Sequence, residues 1–192
     1  MNEFWIYCNL GIEHILDPKG IDHMLFIITL CAVYKIKEWK KVAILVTAFT
    51  VGHSVTLALS SLDLIKVNSD LIELLIPITI SLTALYNIFL HKSEISTKAI
   101  SLNYILALGF GLIHGMGFSN FFRAMMMGEY HVVFPLFSFN LGIEIGQLFI
   151  VMALMVVLYL LVMFVKLNHK YWNIGLSSLG GIVALILLIQ KL

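Results

Sequence analysis

The sequence predicts an all-α fold: a polytopic membrane bundle of about six transmembrane helices that forms a single domain over residues 1–192. Two observations predict this fold. Of the residues, 60% are hydrophobic and only 12% are charged, whereas an average soluble domain carries about 25% charged residues. The apolar residues also gather into blocks of the length that a membrane helix needs, about 20 residues. No long polar stretch remains for a second domain.

The chain begins with a short amphipathic segment at 4–16, which precedes the first span. It ends at Asp17-Pro18-Lys19-Gly20, where proline and glycine break a helix. We expect this segment to lie at the membrane interface or against the mouth of the bundle. It lacks the basic region and small-residue cleavage site of a signal peptide, so we expect it to stay in the mature protein.

Six apolar blocks follow, and each predicts one span. The predicted spans are about 21–36, 42–60, 71–90, 101–117, 133–164 and 173–190. The fifth is long enough to be tilted or to be kinked at Pro135.

The basic residues predict the orientation of these spans. Eight of them lie in the loops after spans one, three and five, namely Lys35, Lys37, Lys40, Lys41, Lys92, Lys98, Lys166 and Lys170. The opposite side holds four, which are Lys19, Lys66, Arg123 and Lys191. The positive-inside rule then predicts that the richer loops are cytoplasmic and that both termini lie outside. The apolar spans make the lipid bilayer the expected partner. Because the basic residues are scattered and form no patch, we expect no nucleic acid as partner.

Several ionisable side chains fall inside or beside these spans, where each costs about 2.5–3.5 kcal/mol or more and is usually kept for a function. In the predicted orientation, separate segments bring them to the same outer half of the bundle. These residues are His14, Asp22, His23, His53, Glu73, His114 and Glu144, with Asn140 and Gln147 on the same helical face as Glu144. This agreement in depth favours one functional polar site.

Imidazole and carboxylate together are the ligands of nickel, cobalt, zinc and copper(II). The carboxylates are either direct ligands or partners that fix the histidine tautomers, and the sequence leaves both roles open. Structural alternatives also stay open. His53 and His114 can hydrogen-bond across helices, Asp22 can cap a helix, and Glu73 can be solvated at the interface. The glycine pairs at 111/115 and 142/146 predict close helix packing.

Five sequence blocks resemble the HupE/UreJ family in order along the chain. They are GIEHIL (11–16), GIDHMLF (20–26), FTVGHSVTL (49–57), FGLIHGMGF (110–118) and FNLGIEIGQ (139–147). The resemblance implies an accessory membrane protein of the bacterial inner membrane that acts as a nickel, sometimes cobalt, permease. It also implies hydrogenase or urease maturation proteins as partners. The motif positions that it carries over are His14, Asp22, His23, His53, Glu73, His114, Asn140, Glu144 and Gln147.

We therefore expect a transporter that captures a divalent transition-metal ion, nickel or cobalt, at the outer-half site. One observation opposes this expectation, because the predicted inner half offers few ligands. The alternatives are an intramembrane zinc hydrolase, with an activated water on the metal, and a metal-binding sensor or accessory protein. Zinc and copper remain possible in place of nickel.

Overall fold

The computed structural model describes residues 2–65, 68–89, 97–125 and 132–192, without the side chains of Lys19 and of 97–101. Lys66 and Lys92, which the orientation prediction uses, lie outside the described residues. Within these ranges the chain folds into seven α-helices and no strand, which confirms the all-α fold class. The helices are α1 (Glu3–Leu16), α2 (Ile21–Cys31), α3 (Trp39–Ser61), α4 (Ser69–Phe89), α5 (Thr97–Met125), α6 (Val133–Val165) and α7 (His169–Ile189).

Five of these helices, α3 to α7, are long and apolar enough to cross a membrane. Within the predicted first span, about 21–36, α2 stops at Cys31, and a separate 3-10 turn at Ile36–Glu38 precedes α3. Its 11 residues rise only about 16 Å, well short of the roughly 30 Å hydrocarbon core. Helix α1, which precedes α2 in the chain, supplies the rest of this length.

Helix α1 is packed into the bundle along the first half of α6. Phe4 contacts Phe134, and Cys8 and Ile15 are fully buried. Both helices run in the same direction, since Cys8 lies against Gly142 and Ile15 against Gly146. A 3-10 turn at Pro18–Gly20 joins α1 to α2. The two helices, which rise about 21 Å and about 16 Å, therefore take the place of the single predicted span.

Glycines bring two helix pairs into backbone contact. A Cβ atom built on Gly52 or Gly111 would collide with a carbonyl oxygen across the α3–α5 interface, and one on Gly11 or Gly142 would do so across the α1–α6 interface. Gly109, on another face of α5, has open space instead. The close packing predicted from the glycine spacing is confirmed at Gly111, Gly115 and Gly142.

Polar contacts join the helices at both ends of the bundle. At the predicted outer end, Lys191 pairs with Glu73, and Arg123 with Asp63 at 2.6 Å. At the other end, the Asn103 amide donates to the Tyr34 hydroxyl at 2.9 Å. Asn87 donates to the carbonyl of Thr29, near the end of α2, at 2.6 Å. The histidines lie between these two layers.

Candidate metal site

Four histidine rings from four helices meet inside the bundle: His14 of α1, His23 of α2, His53 of α3 and His114 of α5. The ring centres of His14 and His23 lie 4.7 Å apart, and that of His53 lies 5.9 Å from the first and 5.7 Å from the second. The ring of His114 joins the group at 5.4 Å from His23. The residues are up to 100 positions apart in sequence, so only the fold brings them together. We call these four rings the histidine cluster.

The cluster is buried, and most of its nitrogens have no partner. His53 and His114 have no exposed surface and His23 only 5%. No hydrogen bond reaches Nε2 of His14, His23 and His114, or either ring nitrogen of His53. A buried polar group without a partner costs about 1–3 kcal/mol, and so many in one place indicate a position for a ligand.

Two of the rings are oriented by hydrogen bonds at Nδ1. His114 Nδ1 lies 2.8 Å from the carbonyl oxygen of Phe110, and His23 Nδ1 lies 3.0 Å from Asp22 Oδ1. An N–H donated at Nδ1 leaves the lone pair on Nε2, as in histidines that bind metals. The same Asp22 oxygen accepts the backbone N–H of His23 at 2.9 Å. Asp22 thus orients His23 and also satisfies a backbone donor in the first turn of α2.

The spacing of the rings suits a metal ion. A nitrogen ligand lies about 2.0–2.1 Å from zinc, which puts two ring centres around one ion about 4.5 to 5.2 Å apart. The observed separations of 4.7 to 5.9 Å overlap this range or exceed it by less than about 1 Å. In the described residues, however, no group of three or more His, Cys, Asp or Glu side chains is arranged to hold an ion as it stands.

Phenylalanine pairs enclose the cluster on two sides. Phe118 and Phe139 stack at 5.3 Å, and the ring of His14 lies 3.8 Å from that of Phe118. On the side toward the predicted inner end, Phe26 and Phe49 lie 4.9 Å apart, each about one turn along its helix from His23 or His53. The Phe26–Phe49 pair thus covers the imidazoles on the predicted inner side.

A cavity of about 430 Å³ connects the cluster with the predicted outer end. His14, His23 and His114 line its deep part, and the Glu73–Lys191 ion pair lies at its rim. A second cavity, of about 650 Å³, reaches His14 from the side of Phe118 and Phe139 and is lined mainly by apolar side chains.

The remaining residues predicted for the site have polar partners other than the imidazoles, and Asn140 donates to the Leu136 carbonyl oxygen at 2.8 Å. Glu73 is half exposed and bonds Lys191. Glu144 accepts a hydrogen bond from Thr47 at 2.5 Å, and Gln147 accepts one from Thr50 at 2.7 Å. These two residues of α6 thus accept hydrogen bonds from α3, at positions that precede His53 in the chain, and not from the imidazoles.

Sequence reasoning missed the two phenylalanine pairs and the role of Lys191. A signal for the aromatic residues was present, because Phe26, Phe49 and Phe118 each stand three or four positions from a site histidine and so share its helical face. No such signal existed for Lys191, whose partner Glu73 is 118 residues away.

Comparison with protein families gives one match. The family model described as HupE / UreJ protein matches residues 1–191, essentially the whole chain. Comparisons with curated proteins and with solved structures give no significant match.

Proposed function

This chain belongs to the HupE/UreJ family, and we propose that it moves a divalent nickel or cobalt ion across the membrane. The family suggests a transport or accessory function with these metals. The histidine cluster is the proposed binding site. The observation that carries the proposal is the set of buried, unpaired imidazole nitrogens at the deep end of a cavity that opens toward the predicted outer end.

The proposed capture step uses the charges around the cavity. Glu73 at the rim and Asp22 near the rings make the approach favourable for a cation, while Lys191 limits how much of the Glu73 charge is available. Inside, imidazole nitrogens replace part of the hydration shell of the ion. Nickel and cobalt suit this exchange because imidazole is a good ligand for both, whereas magnesium and calcium prefer oxygen.

Passage inward requires the ion to leave the cluster past Phe26 and Phe49. The driving force comes from the membrane potential, since a divalent ion gains about 4.6 kcal/mol per 100 mV on moving to a negative interior, at about 2.3 kcal/mol per charge. The chain contains no Walker A phosphate loop. We therefore propose transport without direct use of ATP.

The test is uptake of radioactive nickel into proteoliposomes with an inside-negative potential. We expect uptake by the intact protein and its loss in His53→Ala, which removes the ring with two unpaired nitrogens. His169→Gln is the matched control, because this histidine contacts the Tyr34 carbonyl oxygen away from the cluster. Stoichiometric nickel binding without any uptake would refute the transport proposal.

A second candidate function is an intramembrane zinc hydrolase. The 650 Å³ cavity favours it, because its largely apolar lining beside His14 suits a lipid or acyl substrate. Binding without uptake, together with zinc-dependent release of fatty acid from vesicle lipid, would favour this enzyme.

The setting that we propose is the bacterial inner membrane, with both termini outside and with hydrogenase or urease maturation proteins as the users of the metal. Its support is family membership and the distribution of lysines. Cysteine labelling from each side of the membrane tests the orientation.

A further inference from the structure

A second polar group lies where α3 meets α6, apart from the histidine cluster. Thr47 donates to Oε1 of Glu144, and Thr50 contacts Oε1 of Gln147 at 2.7 Å. Thr50 and Thr47 are three and six residues before His53, which corresponds to about 4.5 and 9 Å of helix rise. In the predicted orientation, this group lies on the inner side of the histidines.

Two atoms of this group, Oε2 of Glu144 and Nε2 of Gln147, are buried and have no partner, and so is Oδ1 of Asn140 one turn before Glu144. Gln147 has no exposed surface, whereas Thr47 is exposed. Amide oxygen and nitrogen are assigned from hydrogen bonds, so the Gln147 carboxamide can also be turned over. Turned, its nitrogen donates to the Thr50 hydroxyl, whose own hydrogen then goes to the Val46 carbonyl at 3.2 Å. The Gln147 oxygen becomes free beside Glu144.

The Glu144 carboxylate also lacks a basic side chain that would balance a negative charge. No lysine or arginine in the described residues forms an ion pair with it, although it lies in a helix of high hydropathy. A charged side chain at membrane depth is costly unless another group or ion balances it. Carboxylate, amide and hydroxyl oxygens are hard ligands, unlike the imidazoles above them.

We propose that Glu144, with Gln147 and the Thr47 hydroxyl, forms a second divalent-cation site that is oxygen-lined and weaker for nickel than the histidine cluster. Its role rests on the proposed transport function: the ion occupies this site after it leaves the imidazoles. Two sites of unequal strength suit conduction, because each must hold the ion and still release it. This site supplies oxygen ligands directly on the inner side of the imidazoles.

The site itself is tested by metal binding to purified protein, without transport. Manganese, a hard divalent ion with an electron paramagnetic resonance signal, is the probe. We expect intact protein and His53→Ala to bind it and Glu144→Gln to bind it at least tenfold more weakly. Thr47→Val should weaken it several-fold, and Asp70→Asn, at an exposed carboxylate, should leave it unchanged. Equal manganese binding by Glu144→Gln and intact protein, or no binding by intact protein, would overturn the site.

Nickel calorimetry tests whether the Glu144 site is separate from the histidine cluster, and nickel uptake tests its role in transport. Glu144→Gln should keep the tight nickel binding that His53→Ala loses, yet take up nickel at least tenfold more slowly. Loss of tight nickel binding in both variants would make Glu144 part of the first site and overturn the proposal. Uptake by Glu144→Gln at the normal rate would overturn the transit role. If intact protein moves no nickel, the transport function fails, and the manganese result still decides whether the site exists.

Discussion

Replacing Gly111, which lies outside the histidine cluster, with alanine should damage the proposed metal site. The new Cβ would overlap the carbonyl oxygen of Phe49 and approach the backbone nitrogen of His53. Ordinary contact requires α3 and α5 to separate by about 1 Å, and overpacking of this kind costs about 1–3 kcal/mol. Because His53 and His114 lie on these two helices, their separation would change by a similar distance. Binding sites tolerate only about 0.5 Å of misplacement.

We therefore expect nickel affinity to fall about 10- to 100-fold, or by about 1.4 to 2.8 kcal/mol. Calorimetric titration of purified protein measures this, and a thermal unfolding scan measures the loss of stability. Gly109→Ala is the matched control on the same helix, because its Cβ meets open space, and alanine is about 0.8–1.0 kcal/mol better than glycine in a helix. Equal nickel affinity and unfolding temperature in the two variants would refute the packing argument.

Three further substitutions test other parts of the structure. Asp22→Asn should weaken nickel binding about 10- to 100-fold in calorimetry, because the carboxylate that accepts from His23 Nδ1 is lost; unchanged affinity would show that Asp22 does not position the ring. Lys191→Gln should increase the initial rate of nickel uptake about two- to fivefold at low salt and less at high salt, since it frees the Glu73 carboxylate at the cavity rim. A lower uptake rate would contradict the proposed approach of the ion past Glu73. Asn87→Leu should destabilise the protein by about 1–2 kcal/mol in denaturant unfolding without changing nickel affinity, because it removes the bond to Thr29 near the end of α2; a parallel loss of affinity would mean that this layer also shapes the site.

Much of the fold was predictable because apolar blocks encode membrane helices directly. For the first membrane crossing, the sequence predicted the break between α1 and α2 but not the position of α1 inside the bundle. Pro18 and Gly20 marked the break, yet residues 4–16 were predicted at the interface or the mouth of the bundle because their apolar run is short. What holds α1 inside the bundle is a partner more than 120 residues away, where Gly142 lets Cys8 approach its backbone. Such a contact leaves no trace in local periodicity.

The candidate site was predictable to a similar degree. Depth along the predicted spans brought His23, His53 and His114 into one group, since helix length fixes depth, and His14 joined them from the segment that precedes the first span. Depth does not fix the direction in which a side chain points around its helix relative to neighbours. Glu144 was therefore grouped with the histidines, although its hydrogen bond in the structure goes to Thr47. Whether it shares their ion is the question that the manganese and nickel titrations answer.

The glycine contacts have a mechanical consequence for the histidine cluster. Backbone contact ties α3 to α5 and α1 to α6, so each pair should move as a rigid unit. His53 and His114 then belong to one unit, His14 to another, and His23 to α2, which packs against α4, α6 and α7. An ion held by rings from these units would add to the hydrogen bonds that already join α3 to α6, and its release would loosen the contact between the units. The binding of the cargo would then be linked to the movement of the protein.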